Sequence, residues 1–297
     1  MQFFLEVLIA GLLSGVMYSL VALGYVLIYK ASGVFNFAQG AMVFFAALTA
    51  VGLHDLGLSL WVAVPLTMLA MVVLGLATER IVLRPLVAQP EITLFMATIG
   101  LSFFIEGLAQ AIWGANVRGL ELGIADVPLE WVLEHANMAI SQFDLVAAGI
   151  AAAMVAALAI FFAKTKIGRA LRAVADDHQA ALSIGIPLHH IWGVVWAVAG
   201  FVALVSGLLW GARNGVQFSL TFLALKALPV LILGGFTSVP GAIVGGLIIG
   251  ASEKLAEVFL GPYVGGGIDG WFPYVLALLF LLVRPEGLFG EKIIRRI

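Results

Sequence analysis

VLIAGLLSGVMYSLVALGYVLIY, residues 7–29, contains no Asp, Glu, Lys or Arg. At 1.5 Å per residue, a helix of this length crosses the hydrocarbon core of a bilayer, which is about 30 Å thick. Lipid offers no hydrogen-bond partners to the backbone, so a single run this long satisfies its own N–H and C=O groups only as a helix. Residues 7–29 therefore predict a transmembrane helix.

Similar apolar stretches recur to the end of the chain and predict an all-α polytopic membrane protein with eight to nine transmembrane helices. The predicted spans are 4–29, 36–53, 60–78, 92–113, 143–163, 191–210, 217–235, 239–260 and 271–284. Ser32, Gly33 and Asn36 interrupt the second span. We therefore expect a broken or re-entrant helix there, which would leave eight full crossings.

The composition excludes several classes of protein. Of the 297 residues, 63% are hydrophobic and 11% are charged, and the mean hydropathy is +1.13. Soluble domains carry about 25% charged residues, so a soluble enzyme and a disordered chain are excluded. A net charge of −2 without a basic tract argues against nucleic-acid binding. The absence of cysteine excludes disulfides and thiolate metal sites.

The distribution of Lys and Arg predicts the orientation. Most of them lie at 79–91, 164–190 and 284–297, and the positive-inside rule places such segments in the cytoplasm. We therefore expect one transmembrane domain, 1–297, with an outside N-terminus, a cytoplasmic loop at 164–190 and a cytoplasmic tail at 285–297. The acidic loop 114–142 would then lie outside, where it is large enough to contact an extracytoplasmic protein.

The loop 164–190 contains a predicted amphipathic helix, since Leu171, Val174 and Ala181 recur at helical spacing. On this pattern alone, the helix either lies among lipid headgroups or docks into a partner protein. Its core, GRALRAVADDHQAALSIGI (168–186), resembles the coupling loop of ABC-importer permeases of the branched-chain amino acid type, the LivH/LivM family. The residues that match the loop pattern are Gly168, Arg169, Arg172, Ala173, Asp177, Ala180, Gly185 and Ile186.

Six further blocks resemble the same family in order along the chain. They are GVMYSLVALGYVLIY (15–29), VFNFAQGAM (34–42), ERIVLRPL (79–86), MATIGLSFFIEGLA (96–109), GGFTSVPGAIVGGLIIG (234–250) and RPEGLFG (284–290). The loop 118–142 matches no family motif.

The resemblance implies a permease subunit, not an enzyme, in a bacterial inner membrane. It would import Leu, Ile or Val together with a second permease subunit, which is LivM-like or another copy of this chain. Two separate ATP-binding subunits would bind ATP, and a periplasmic or extracellular binding protein would deliver the substrate. No P-loop sequence, and indeed no Gly-Lys pair, occurs in this chain. Import of urea or short amides on the same architecture is the alternative within this class.

Two interruptions are candidates for the substrate pathway. Asn36 would begin a half-helix whose N-terminus faces an amino-acid carboxylate, with Gln39, Gly40 and the aromatic Phe37 beside it. A purely structural cap is the alternative. In the second half, Thr237 or Ser238 would cap a new helix that has Pro240 in its first turn, giving a matching break.

Charged residues inside spans form the last group of candidates, because a lone charge in lipid is costly. Counting residues outward from the predicted turn at 234–241 brings Lys226 and Glu253 within reach of one another, and we expect a buried ion pair. The alternative from another class is an ion-coupled secondary transporter that uses Lys226, Glu253 and Glu106. The histidines suggest no metal site.

Overall fold

The computed structural model describes residues 1–86, 89–176, 181, 183 and 185–290. The longer helices are α1 (Gln2–Ser32), α2 (Gln39–Asp55), α3 (Leu60–Ala77), α4 (Glu91–Trp113), α5 (Glu130–Ala136), α6 (Gln142–Lys164), α7 (Lys166–Asp176), α8 (Leu188–Asn214), α9 (Leu223–Gly234), α10 (Val239–Phe259) and α12 (Phe272–Val283), with the single turn α11 (Gly261–Val264) between the last two. A π-helical turn, Thr78–Leu83, extends α3, and 3₁₀ turns occupy Arg84–Leu86, Phe218–Phe222 and Ile268–Gly270. The predicted fold class, an all-α polytopic membrane protein, is confirmed.

The number of membrane crossings depends on which helices are long enough to span the bilayer. Within the described residues, five helices are long and apolar enough to cross a membrane, and a sixth crossing results if α9 and α10, bent by 113°, form one broken span. Helix α2 has 17 residues and α12 has 12, so they reach only about 26 and 18 Å. The count of eight to nine spans therefore stays a prediction.

The described chain divides into two compact units. The first contains residues 1–23, 122–156 and 225–290, and the second contains 24–121 and 157–224. Helices α1 and α6 each contribute residues to both units.

Helix α2 is the centre of the second unit. Every residue from Gln39 to Gly52 is buried, and the helix packs against α3, α4, α8 and the 3₁₀ turn Phe218–Phe222. A helix that is apolar all round is typical of such a central position. Close packing requires small residues, and a Cβ on Gly207 of α8 would lie 2.6 Å from the carbonyl oxygen of Val43.

Glycines also bring α1 and α10 together within the first unit. A Cβ on Gly11 would lie 2.8 Å from the Cα of Ala251, and one on Gly15 would lie 2.5 Å from the carbonyl oxygen of Gly246. Small residues at these positions allow the two helix backbones to approach each other this closely.

The turn between α9 and α10 is fixed from two directions. The Ser238 hydroxyl accepts a hydrogen bond of 3.0 Å from the backbone N–H of Gly241, so Ser238 is the N-cap of α10. The C-terminal segment then returns to the end of α9, where Leu288 N–H donates to the Leu233 carbonyl at 2.8 Å and Phe289 N–H to the Gly234 carbonyl at 3.1 Å.

Candidate functional site

The predicted break at Asn36 is present, but the helix begins later than predicted. Helix α1 ends at Ser32 and α2 begins at Gln39 with Ala38 as its N-cap, so the prediction that Asn36 begins the helix is wrong. The Asn36 Oδ1 instead accepts a hydrogen bond of 3.1 Å from the Ala38 backbone N–H. This local turn uses the side chain that would otherwise cap the helix.

The two amides of the break are completely buried and hydrogen-bonded to each other. Asn36 and Gln39 each have 0% of their surface exposed. The Asn36 Nδ2 donates to the Gln39 Oε1, and the Gln39 Nε2 donates to the carbonyl oxygen of Ala199, both at 3.5 Å. Buried amides need such partners. In this chain their bonds connect the start of α2 to α8.

Aromatic rings surround the same break. Phe37 lies edge-on between Phe35 and Phe95, at centroid distances of 5.1 and 5.2 Å, and its backbone N–H donates to the Thr98 hydroxyl at 3.2 Å. The Thr98 hydroxyl, which the sequence analysis did not single out, also contacts the Phe35 carbonyl. A cavity of about 400 Å³ opens beside these rings, and its lining is Tyr29, Gly33, Val34, Phe35, Ile92 and Phe95.

Gly40 is the point at which α2 meets the 3₁₀ turn Phe218–Phe222. A Cβ at this position would overlap the Thr221 carbonyl oxygen and lie 2.7 Å from the Ala224 Cβ. Because the nearest neighbour is backbone, the two elements would have to separate to accept a side chain.

We therefore expect Gly40→Ala to destabilise the purified chain by about 1–3 kcal/mol, the usual cost of overpacking. Thermal unfolding in detergent measures this effect. Gly107→Ala on α4 is the matched control, because a Cβ there meets nothing within 4 Å. Equal unfolding midpoints for the two variants would contradict the close approach at Gly40.

The second predicted break, at Thr237 and Ser238, belongs to the first unit, whereas Asn36 and Gln39 belong to the second. Of the two predicted caps, Ser238 makes the capping hydrogen bond described above. Thr237 is half-buried in the turn that precedes it.

Lys226 and Glu253 meet in a larger polar cluster of the first unit. The Lys226 Nζ lies 3.2 Å from the Glu253 Oε1 and 2.9 Å from the Asp269 Oδ2, and the Tyr18 hydroxyl donates to the Glu253 Oε1 at 3.0 Å. The side chain of Glu253 is 4% exposed, against 32% for Lys226 and 46% for Asp269. The hydrogen bond from Lys226 lowers the pKa of the Asp269 carboxyl below its ordinary value.

Asp269 and Tyr18 belong to this cluster although neither was predicted, whereas Glu106 is not part of it. Asp269 lies in the 3₁₀ turn just before α12, where its charge was not counted among the residues within spans. Glu106 belongs to α4 of the second unit and accepts a hydrogen bond of 3.5 Å from Ser102 on its own helix.

The predicted amphipathic helix is α7. Its N-cap is Thr165, whose hydroxyl accepts a hydrogen bond of 3.1 Å from the Gly168 N–H. Leu171 and Val174 are buried, whereas Arg169 and Arg172 are exposed. Helix α7 therefore has a basic, solvent-accessible face.

Two of the matched residues, Gly168 and Arg172, shape the turn between α6 and α7. A Cβ on Gly168 would overlap the backbone carbonyl of Phe162, and the Arg172 guanidinium donates to that same carbonyl at 2.8 Å. Cationic donors at the end of a helix satisfy carbonyls that lack intrahelical partners. Both residues thus have structural roles in addition to any contact with a partner.

The remaining matched residues of this segment are placed less fully. Ala173 is half-buried on α7, Gly185 has a φ of +86°, and the Ile186 N–H donates to the Ala181 carbonyl at 3.0 Å. Asp177 and Ala180 lie outside the described residues.

The block ERIVLRPL contains an ion pair that the sequence analysis missed. Glu79 has a side chain that is 4% exposed, and the Arg84 guanidinium forms two hydrogen bonds to it, of 3.1 and 2.9 Å. These residues are five positions apart, and in a π-helical turn that spacing places them on the same side. In the sequence, this ion pair could have been recognised from a Glu that is followed five residues later by an Arg, beside an apolar run.

Comparison with known proteins gives a consistent result. Residues 7–283 match the family described as "Branched-chain amino acid transport system / permease component". The chain is 29% identical to the high-affinity branched-chain amino acid transport system permease protein LivH of Escherichia coli (strain K12), over 99% of this chain and 98% of that protein. It is 27% identical to the corresponding protein BraD of Pseudomonas aeruginosa, with the same coverage. Among solved structures, PsaBC from Streptococcus pneumoniae in complex with Fab has a TM-score of 0.49 and 15% identity, over 92% of this chain and 88% of that one.

Proposed function

Since the chain belongs to the family of branched-chain amino acid transport system permease components, we propose that it forms one half of the pathway by which an ATP-driven importer admits Leu, Ile and Val. The observation that carries this proposal is the match over nearly the whole chain, both to the family and to relatives named for this transport. The chain is a multi-pass membrane permease component, and its substrates and partners are the part that we propose.

The proposed coupling element is α7. Its basic face, with Arg169 exposed, is suited to a groove on an ATP-binding subunit, while buried Leu171 and Val174 attach it to the rest of the chain. A capped helix transmits a movement of the ATP-binding subunits to the membrane-spanning helices better than a flexible loop would. In this proposal, ATP is bound and hydrolysed by two separate subunits, and their closure moves α7.

The other proposed partners are a second subunit within the membrane and a binding protein outside it. A second permease subunit, LivM-like or a copy of this chain, completes the pathway. A periplasmic or extracellular binding protein docks on the loop 114–142, which holds the short helix α5. In this proposal the membrane is a bacterial inner membrane. The basic segments favour α7 and the C-terminus on its cytoplasmic side and the N-terminus outside.

We propose that the break at 33–38 shapes the pathway and that the amides of Asn36 and Gln39 hold the break in position. Support comes from the complete burial of Asn36 and Gln39 and from their bonds to each other and to Ala199. This favours the structural alternative for the two amides. The half-buried Phe37 and the aromatic cavity beside it are better placed to contact an aliphatic side chain.

The test of the substrate is competition for uptake. We expect radiolabelled leucine to enter cells that express the chain with its neighbouring transporter genes, and an excess of isoleucine or valine to suppress that uptake. Urea and acetamide at the same excess should have no effect. Suppression by urea or acetamide but not by isoleucine would overturn the proposed substrate in favour of the alternative within this class.

A further inference from the structure

An apolar groove runs along the outer surface of the second unit between α3, with its π-helical extension, and α4. Its volume is about 340 Å³, and it is lined by Leu74, Ala77, Thr78, Ile81, Val82, Gly100, Leu101 and Phe104. Two of these side chains are strongly exposed within the chain, Ile81 at 72% and Phe104 at 62%. On a membrane-spanning segment, such a surface is suited to hydrocarbon.

Two exposed arginines lie close in the chain to Ile81, which lines the groove. Arg80 precedes Ile81 in the π-helical turn, and Arg84 follows in the 3₁₀ turn. The Arg84 guanidinium donates two hydrogen bonds to the Glu79 carboxylate, which fix its position. Arg80 adds a second positive charge in the turn that carries Ile81.

From this combination we propose that the groove binds one anionic phospholipid of the cytoplasmic leaflet. An acyl chain lies along Leu74, Ile81 and Phe104, and the phosphate is bound at Arg80 and Arg84. Basic residues between transmembrane helices on the cytoplasmic side are a recognised setting for anionic headgroups. The Glu79 carboxylate is buried beneath Arg84 and neutralises only one of the two arginines.

Gly100 gives this lipid site a selective test. It lines the groove, and a Cβ built on it meets nothing within 4 Å. A side chain at this position would therefore start in open space, and we expect a leucine there to fill space that the acyl chain needs. Gly107, on the same helix and outside the groove lining, is equally open, so Gly107→Leu is the matched control.

The experiment is native mass spectrometry of the full chain, purified in mild detergent and titrated with dioleoylphosphatidylglycerol, dioleoylphosphatidylcholine or inorganic phosphate. We expect the wild type and Gly107→Leu to retain phosphatidylglycerol in preference to phosphatidylcholine, and Gly100→Leu to lose that preference. Arg80→Gln should weaken retention about fivefold, the effect of removing one basic residue near an anionic headgroup. Unfolding midpoints measured in parallel show that each variant is folded.

Three results would overturn the proposal. They are equal retention of the two lipids by the wild type, undiminished preference in Gly100→Leu, and displacement of the lipid by inorganic phosphate alone, which would indicate a site for free phosphate. A protein partner in the groove is tested in the assembled transporter. Because the chain has no cysteine, Gly100→Cys supplies a unique thiol, and its cross-linking to another subunit would also contradict a lipid occupant.

Discussion

Arg169→Glu should abolish leucine uptake and the stimulation of ATP hydrolysis, while the chain inserts and folds as the wild type does. Arg169 is exposed on α7, so its replacement removes no interior packing. Arginine is enriched among the residues that dominate protein interfaces, where losing one costs 2 kcal/mol or more. A loss of this size corresponds to an effect of about 30-fold. ATPase activity in proteoliposomes, with and without loaded binding protein, measures the loss.

The choice of Arg169 follows from the geometry of the turn between α6 and α7. Gly168 packs against the Phe162 backbone and Arg172 donates to the same carbonyl, so substitutions at either position would also disturb the fold. Lys164→Glu is the matched control, because Lys164 is exposed in the same loop and outside the family pattern. Normal stimulation in Arg169→Glu, or an equal loss in Lys164→Glu, would refute the proposed coupling face.

Lys226→Met should cause the largest loss of stability among single substitutions in the polar cluster. It removes the cation that lies 3.2 Å from Glu253, whose side chain is 4% exposed. Removing one partner of a buried ion pair costs about 3–5 kcal/mol, and we expect the lower end because Lys226 is partly exposed. At about 2–4 °C per kcal/mol, a loss of 3 kcal/mol lowers the midpoint of thermal unfolding by about 6–12 °C.

A second substitution separates the lost charge pair from other effects. In Lys226→Met with Glu253→Gln, more than half of the lost stability should return, because no buried charge remains and Tyr18 can still donate to the amide oxygen. Asp269, at 46% exposure, needs little compensation. Lys166→Met, at an exposed position of α7, is the control, with an expected change within about 0.5 kcal/mol. Additive losses in the double variant would show that the two charges do not interact.

The helices could be predicted from the sequence because the membrane requires long uncharged runs. Each of the nine predicted stretches coincides with a helical segment. The largest difference from an α-helix is six residues, at the start of α9, where 217 was predicted and Leu223 is observed after the 3₁₀ turn Phe218–Phe222. Whether the shorter helices cross the membrane could not be predicted. A helix surrounded by protein is as apolar as one that crosses lipid, and α2 is buried by protein from Gln39 to Gly52.

The functional residues were predicted in part, and the errors have physical causes. Capping preference suggested Asn36 as the first residue of a half-helix, but its side chain is instead bonded to the Ala38 N–H. Helical spacing does not reveal the Glu79–Arg84 pair, because the π-helical turn changes which residues share a face. Asp269 lies between two helices and forms an ion pair with Lys226. A periodic sequence pattern does not predict the geometry of such a connecting segment, so this contact was not predicted.

Transport by purified components tests the central claim most directly. The chain is reconstituted into vesicles either alone with an imposed proton or sodium gradient, or together with the proposed second permease subunit, ATP-binding subunits and binding protein. We predict leucine accumulation only in the complete assembly and only when ATP is supplied. Accumulation by the chain alone, driven by the gradient, would contradict the account and favour an ion-coupled transporter.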